Sequence, residues 1–257
     1  MRRLPPARDS AGTPDVARDA LFGGRLTLLQ PRRGYRVNVD TLLLACFAAE
    51  ARPKARRVVD LGAGVGALAL AYAFLGSAAR VELVERDAGL ARLATANLER
   101  SADSVHLADL DQGLPAPLRG VADVVLSNPP FFPEATGTAA SATRRGARSG
   151  PLGPFLNAAA AALGRRGYAF FVYPAPALPE LLDAAAAAHL VAKRLRFVHA
   201  FMASPARLAL VELRRAKPRG LLVEPPLIEW TAPSVRSPEL EALLRGERLT
   251  RRAGDRG

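Results

Sequence analysis

A doubly wound α/β fold is predicted, with a mostly parallel seven-stranded sheet that ends in an antiparallel strand pair. Two observations predict it. From about residue 56 to residue 190, short apolar runs alternate with longer helical ones, which is the pattern of parallel strands joined by crossover helices. Two long strand-like runs then follow, "VAKRLRFVHAF" and "ARLALVELRRA", with only Met-Ala-Ser-Pro between them. So short a link permits only antiparallel pairing. At 257 residues, one domain or one domain with small appendages is expected, and a hydrophobic content of 49% supplies a sizeable core.

The elements follow in order. Residues 1–20 are rich in Pro, Arg and Asp without periodicity, and a disordered basic arm is expected. Residues 21–50 form an N-terminal unit. There "GRLTLLQPRRGYRV" reads as two short strands around a Pro-Arg-Arg-Gly turn, and "NVDTLLLACFAAEA" as a helix capped by Asn38 or Asp40. Residues 51–216 carry the alternation. The strands are "RRVVDLG", "ARVELVERD", "SVHLADL", "ADVVLSNPP" and "YAFFVYPA", and then the closing pair. The helices between them are "GVGALALAYAFLG", "AGLARLATANLERS", "PFLNAAAAALGRRG" and "LPELLDAAAAAHL". Residues 217–257 are an extension with one short helix, "SPELEALLRG", and a basic end, "RLTRRAGDRG".

Composition excludes several classes. The longest apolar runs, such as "ALALAYAFLG", are too short to span a bilayer, and no apolar stretch follows the basic N-terminus as in a signal peptide. A cytoplasmic protein is expected. Cys46 is the only cysteine, so no internal disulfide forms, and within "TLLLACFAA" it reads as a small core hydrophobe. His106, His189 and His199 have no Cys or carboxylate at ligand spacing, so no metal site is supported. Trp230 reads as a tail residue packed on the sheet, and His199 as a half-buried strand residue. The net charge is +12. Residues 61–143 nevertheless hold five arginines against nine acids, a net of −4. The positive excess therefore lies in the flanks, as expected of a surface facing a polyanion such as RNA.

The candidate site lies at the strands' carboxyl ends. "VVDLGAGVGALAL" passes from strand to helix through Gly62, Gly64 and Gly66, which permit a sharp turn and close approach of a ligand to the backbone. No Lys-Ser/Thr follows, so a P-loop is excluded. Glu85 ends the next strand, 19 residues after Gly66, where a carboxylate holds a nucleotide-type ribose diol. Asp109 ends the third strand and is placed to accept from an adenine amino group. On the same rim the fourth strand stops at "SNPPFF". Two prolines cannot continue a ladder, and they rigidify whatever precedes them.

Asn128-Pro129-Pro130-Phe131 resembles the "[N/D/S]-P-P-[Y/F/W]" motif of amino-group methyltransferases of the class I S-adenosylmethionine-dependent fold. The likeness extends by order and spacing over about residues 56–215, and the closing antiparallel pair is also a feature of that fold. It implies S-adenosylmethionine as methyl donor, held by Asp60, Gly62, Ala63, Gly64, Gly66, Glu85 and Asp109. A conjugated or amide nitrogen is a poor nucleophile. In such a site the Asn128 side-chain oxygen and the Pro129 carbonyl accept both amino hydrogens and aim the lone pair at the methyl group. Phe131 or Phe132 is placed to stack on an extruded base.

"GYRVNVDTLLLACFA", just before the glycine loop, is similar to the segment preceding the fold in bacterial tRNA1(Val) adenine-37 N6-methyltransferases, and with it the likeness covers most of residues 21–245. It implies that Tyr35, Arg36 and Asp40 lie over the donor site, in a strand pair and helix that cover it. Arg36 would meet the donor's carboxylate or a phosphate. Arg32, Arg33, Arg144, Arg145 and Arg148 are the further candidates for phosphate contact. After the motif that family usually has polar "ARxE/T"-like residues, where this chain has "SATRRGARSGPLG". The reaction implied is methyl transfer to N6 of an adenine in tRNA. Alternatives are a protein glutamine N5-methyltransferase, a guanine-N2 methyltransferase of ribosomal RNA, and a non-catalytic RNA-binding scaffold.

Overall fold

The computed structural model describes residues 16–33, 37–99, 101–130, 152–215 and 219–247. Its centre is a sheet in which β3 (Ala55–Leu61), β4 (Ala78–Glu85), β5 (Ser104–Leu107), β6 (Ala122–Ser127) and β7 (Leu163–Pro174) run parallel. They are followed by β8 (Val191–His199) and β9 (Ala206–Arg214), each antiparallel to its neighbour. The order across the sheet is β5-β4-β3-β6-β7-β9-β8, with two short strands, β10 (Leu222–Val223) and β11 (Leu227–Ile228), added along β8. The predicted seven strands are present. The two additions carry too few residues to show a period in sequence.

Both faces of the sheet are covered, and the alternation of side chains sorts the core. Val58, Val124, Leu126, Phe170 and Val172 pack with α1 (Val39–Ala51), α2 (Ala67–Leu75) and the C-terminal α6 (Pro238–Leu244). Val59, Val125, Ala169 and Phe171, one residue along in each strand, pack with α4 (Gly153–Ala162) and α5 (Leu178–Ala187). Near-continuous apolar strands are what a doubly covered parallel sheet requires. The second crossover helix, α3 (Ala88–Asn97), is capped by Asp87 through the N–H groups of Gly89 and Leu90.

The N-terminal unit differs from expectation. Its hairpin pairs β1 (Val16–Leu21) with β2 (Leu26–Pro31), so a strand begins inside the segment expected to be a disordered arm. The turn is made at Phe22–Gly24, not at Pro-Arg-Arg-Gly. The physical reason is backbone freedom. Phe22, Gly23 and Gly24 all take positive φ, which the glycine pair permits at little cost, while Pro31 closes the ladder opposite Val16. The hairpin lies over the glycine loop. Leu28 packs with Val65, Ala67 and Leu93, and Asn97 of α3 bonds both Leu29 N–H and C=O (2.7 and 2.9 Å) and the Val65 carbonyl (2.9 Å).

The basic flanks are only partly a surface. Arg194 is buried, stacks on Phe47 at 3.7 Å and pairs with Glu212 and Glu224 at 3.3 and 3.1 Å. Arg52 and Arg214 stand over the Tyr168 ring at 3.8 and 4.0 Å. Arg194 is an internal cross-link and presents little charge to a polyanion, while Arg52 and Arg214 are half-buried. Arg32 and Arg33, after β2, are exposed.

Candidate active site

The glycine loop is wrapped over the end of β4. The Gly62 and Ala63 N–H groups both donate to the Val84 carbonyl (2.9 and 3.0 Å), and Gly64 N–H donates to Glu85 Oε2 at 2.8 Å. The loop needs left-handed backbone at Gly62, Gly64 and Gly66, with φ of 70°, 57° and 85°. It also needs the missing Cβ. One added at Gly62 would stand 2.9 Å from the Phe155 ring, and one at Gly66 would stand 2.8 Å from Leu83. Gly66 then opens α2, and Asp60, at the end of β3, accepts from Ala69 N–H at 3.1 Å.

A cleft opens above this loop. It is lined by Asp60, Gly62, Ala63, Val65, Val37, Thr41 and Asn128 among others, so the end of β3, the loop, the start of α1 and the end of β6 converge on it. Asp60 and Glu85 are both buried. Burial raises the Asp60 carboxyl to about 7, the Ala69 N–H lowers it, and the nearby charge of Glu85 raises it further. Two buried carboxylates at the base of the glycine loop suit a ligand that carries positive charge and hydroxyl groups. Glu85 also accepts from Asp87 N–H (2.8 Å), and so braces the loop. Asp109 lies beside it, since Ala108 N–H donates to the Glu85 carbonyl, and its own carboxylate accepts from Asp111 N–H at 3.0 Å.

At the end of β6, Ser127 is buried and donates to the Leu61 carbonyl (2.9 Å), which ties the strand to its neighbour. Asn128 follows it, half-buried, and its Nδ2 donates to Thr41 Oγ1 at 3.3 Å. Pro129 is buried and Pro130 exposed. Phe131, Phe132, Tyr35, Arg36, Arg144, Arg145 and Arg148 lie outside the described residues.

One expectation is corrected. Asp40 does not line the cleft. Its carboxylate takes Arg207 at 2.9 Å and Asn38 at 3.2 Å, and Arg207 in turn grips Glu229 through two bonds of 2.6 and 2.5 Å. Asn38, not Asp40, is the cap of α1, accepting from Thr41 N–H at 3.2 Å. A carboxylate within reach of a half-buried guanidinium is drawn to it ahead of a neutral backbone. Thr41 faces the cleft instead. The signal for it in sequence is faint: one hydroxyl between an acid and an otherwise apolar helix.

The remaining candidates are structural. Cys46 is buried, and burial pushes its thiol up to about 12, out of reach of nucleophilic chemistry. His199 spends Nδ1 on the Ser204 carbonyl at 2.7 Å, and His106 meets Glu82 at 2.9 Å. Trp230 belongs to a small hairpin of β12 (Trp230–Ala232) and β13 (Val235–Arg236), and its N–H donates to the Ala200 carbonyl, docking the tail on the end of β8. Among the described residues no cluster of His, Cys, Asp or Glu is arranged to hold a metal, and no helix is long and apolar enough to cross a membrane.

A family model described as the methyltransferase small domain matches residues 38–178, more than half of the chain. The chain belongs to the methyltransferase small domain family. S-adenosylmethionine is that family's cofactor, and the site fits it: the loop accommodates close approach, and Asp60 and Glu85 offer buried negative charge to a cationic ligand. Among curated relatives, the tRNA1(Val) (adenine(37)-N6)-methyltransferase of Klebsiella pneumoniae subsp. pneumoniae is 36% identical over 122 residues, 46% of this chain and 49% of that protein. The release factor glutamine methyltransferase of Gloeobacter violaceus is 42% identical over 81 residues, 31% of this chain and 28% of that protein. The matched stretch is thus under half the length of either relative. In fold, this family member is similar to a predicted O-methyltransferase of Agrobacterium tumefaciens (TM-score 0.61, 24% identity, 83% of this chain and 99% of that one). It is also similar to the Thermus thermophilus 16S rRNA guanine-N2 methyltransferase solved with AdoMet and guanosine (TM-score 0.53, 23% identity, 78% of this chain and 50% of that one).

Proposed function

We propose that this member of the family transfers a methyl group from S-adenosylmethionine to an exocyclic amino nitrogen, that of N6 of an adenine in tRNA. The observation that carries the reading is Asn128. It stands at the rim of the cleft that Asp60, Gly62 and Ala63 line, with Nδ2 engaged by Thr41. Its Oδ1 is thereby left for an incoming N–H. With the Pro129 carbonyl beside it, two acceptors meet the two hydrogens of one amino group and orient its lone pair. The donor, when bound, supplies an electrophilic methyl group on a sulfonium. Asp60 and Glu85 would hold its positive charge and ribose hydroxyls, and the glycine loop would allow its close approach. Exposed Arg32 and Arg33 near the hairpin favour a phosphate-bearing acceptor.

The second reading is transfer to a glutamine side-chain amide, whose NH2 poses the same chemical problem. It is favoured by the stretch 42% identical to a release factor glutamine methyltransferase. The experiment is incubation with methyl-labelled donor and either bulk unmodified tRNA or a release factor. Label in N6-methyladenosine supports the first reading. Label only in methylglutamine replaces it with the second, and label in N2-methylguanosine moves the acceptor to guanine.

A further inference from the structure

A chain of polar groups runs from β9 to the cleft, and its donor–acceptor order can be followed bond by bond. Arg207 can only donate. It gives Nη1 to Asp40 Oδ1, while Glu229 holds its other nitrogens. These bonds, the one to Glu229 first, keep the guanidinium charged more firmly than usual. The other Asp40 oxygen stands 3.2 Å from the Asn38 side chain. A carboxylate accepts, so Asn38 must present its NH2 there. Its carbonyl oxygen then faces the start of α1, where it accepts from Thr41 N–H at 3.2 Å and from the Thr41 hydroxyl at 3.3 Å. The backbone N–H fixes that orientation independently, since it too can only donate. A hydroxyl whose proton is committed to Asn38 has only lone pairs left for Asn128, 3.3 Å away. With the Thr41 proton given to Asn38, Asn128 presents its NH2 to Thr41 and its oxygen elsewhere.

We propose that Thr41 is a positioning residue for Asn128. It relays the order set by Arg207, Asp40 and Asn38, and so holds the Asn128 carboxamide with its oxygen toward the acceptor's amino group. An asparagine free to flip would offer NH2 to NH2 in its other state, donor against donor, and would fail to align the nitrogen. The relay also gives the buried Asp40 a function that is not contact with the donor. The inference rests on the amino-methylating reading above.

Two measurements test it. The first follows the Asn128 side-chain amide by NMR in 15N-labelled protein, the signal being identified by its loss in Asn128→Ala. In the wild type its NH2 protons should show a hydrogen-bonded shift. Thr41→Val, which keeps the shape and removes the hydroxyl, should return them to solvent-like values, and Thr41→Ser should restore them. The second is methyl transfer to bulk tRNA. Thr41→Val should lower the rate at saturating RNA by about tenfold or more, less than the roughly hundredfold scale for deleting a polar group at a reacting centre outright. Donor affinity, KM and the unfolding midpoint should stay near wild type, and Thr41→Ser should recover most of the rate. A merely structural threonine would move the midpoint and donor affinity together. An Asn128 signal unchanged by Thr41→Val overturns the relay. A moved signal with an unchanged rate overturns its catalytic role. A wild type that methylates neither tRNA nor a release factor removes the functional reading and the catalytic role with it, and the NMR result still decides whether the relay exists.

Discussion

Asp60 is the residue on which the electrostatics of the site concentrate. Its carboxyl, moved from 3.8 to about 7 chiefly by burial, lies near its midpoint at neutral pH. A cationic donor favours the ionised form. Affinity should therefore rise with pH across the range from about 6 to 8, by up to roughly tenfold, with proton release on binding that fades above pH 8. Calorimetry in buffers of different ionisation heat reads both quantities, and Asp60→Asn should flatten the profile. A wild-type affinity independent of pH would contradict this assignment. In the absence of donor the sign is opposite. The folded state holds the proton more tightly than the unfolded chain, so the stability that protonated Asp60 contributes is fully present below about pH 4 and is lost as pH rises through about 7. At this scale the glycines, Glu85 and Asn128 were legible in sequence because strand ends mark them. Thr41 and Asp40 were not, because their decisive partners, Asn128 and Arg207, lie 87 and 167 residues away.

Among the elements, the N-terminal hairpin packs against the loop. Asn97 is its clasp, with three hydrogen bonds to Leu29 and Val65, and Val65 lines the cleft. Asn97→Ala should destabilise the protein by about 2–3 kcal/mol, the usual cost of leaving several half-buried backbone groups without partners. It should also weaken donor binding severalfold. Denaturant unfolding and donor titration on the same variant check both, and a variant matching wild type in each would show that the hairpin does not support the loop. The sheet and its helices were readable, because short, nearly continuous apolar runs alternate with longer helical ones along the chain. The hairpin was misplaced by a proline. Pro-Arg-Arg-Gly is stronger turn chemistry than Phe-Gly-Gly on its face, but pairing over six residues from Val16 to Leu21 and the burial of Leu28 outweigh it.

For the whole molecule, charge divides into two populations. Arg194 is interior, and Arg194→Ala should destabilise the protein by about 3 kcal/mol, because it removes a buried cation that pairs with both Glu212 and Glu224. The exposed population is the one that should bind RNA. Affinity for tRNA should fall steeply with salt through counterion release, and replacing exposed Arg32 and Arg33, together with Arg144 and Arg145, which lie outside the described residues, should flatten that slope without changing donor affinity. Titrations at several salt concentrations decide it, and a wild-type slope near zero would point to a protein acceptor. The total of +12 was legible in sequence, but the split between cross-links and surface was not, since an arginine's partner is a property of the fold. All three scales meet at Asn128, which sequence, cleft and relay single out together. The direct measurement compares Asn128→Ala with wild type for donor affinity and for methyl transfer to tRNA, with the product identified as a nucleoside. The account predicts donor affinity within about threefold of wild type and N6-methyladenosine formation lower by at least about a hundredfold. Methylation at the wild-type rate would contradict it, leaving "NPPF" as no more than the end of a strand.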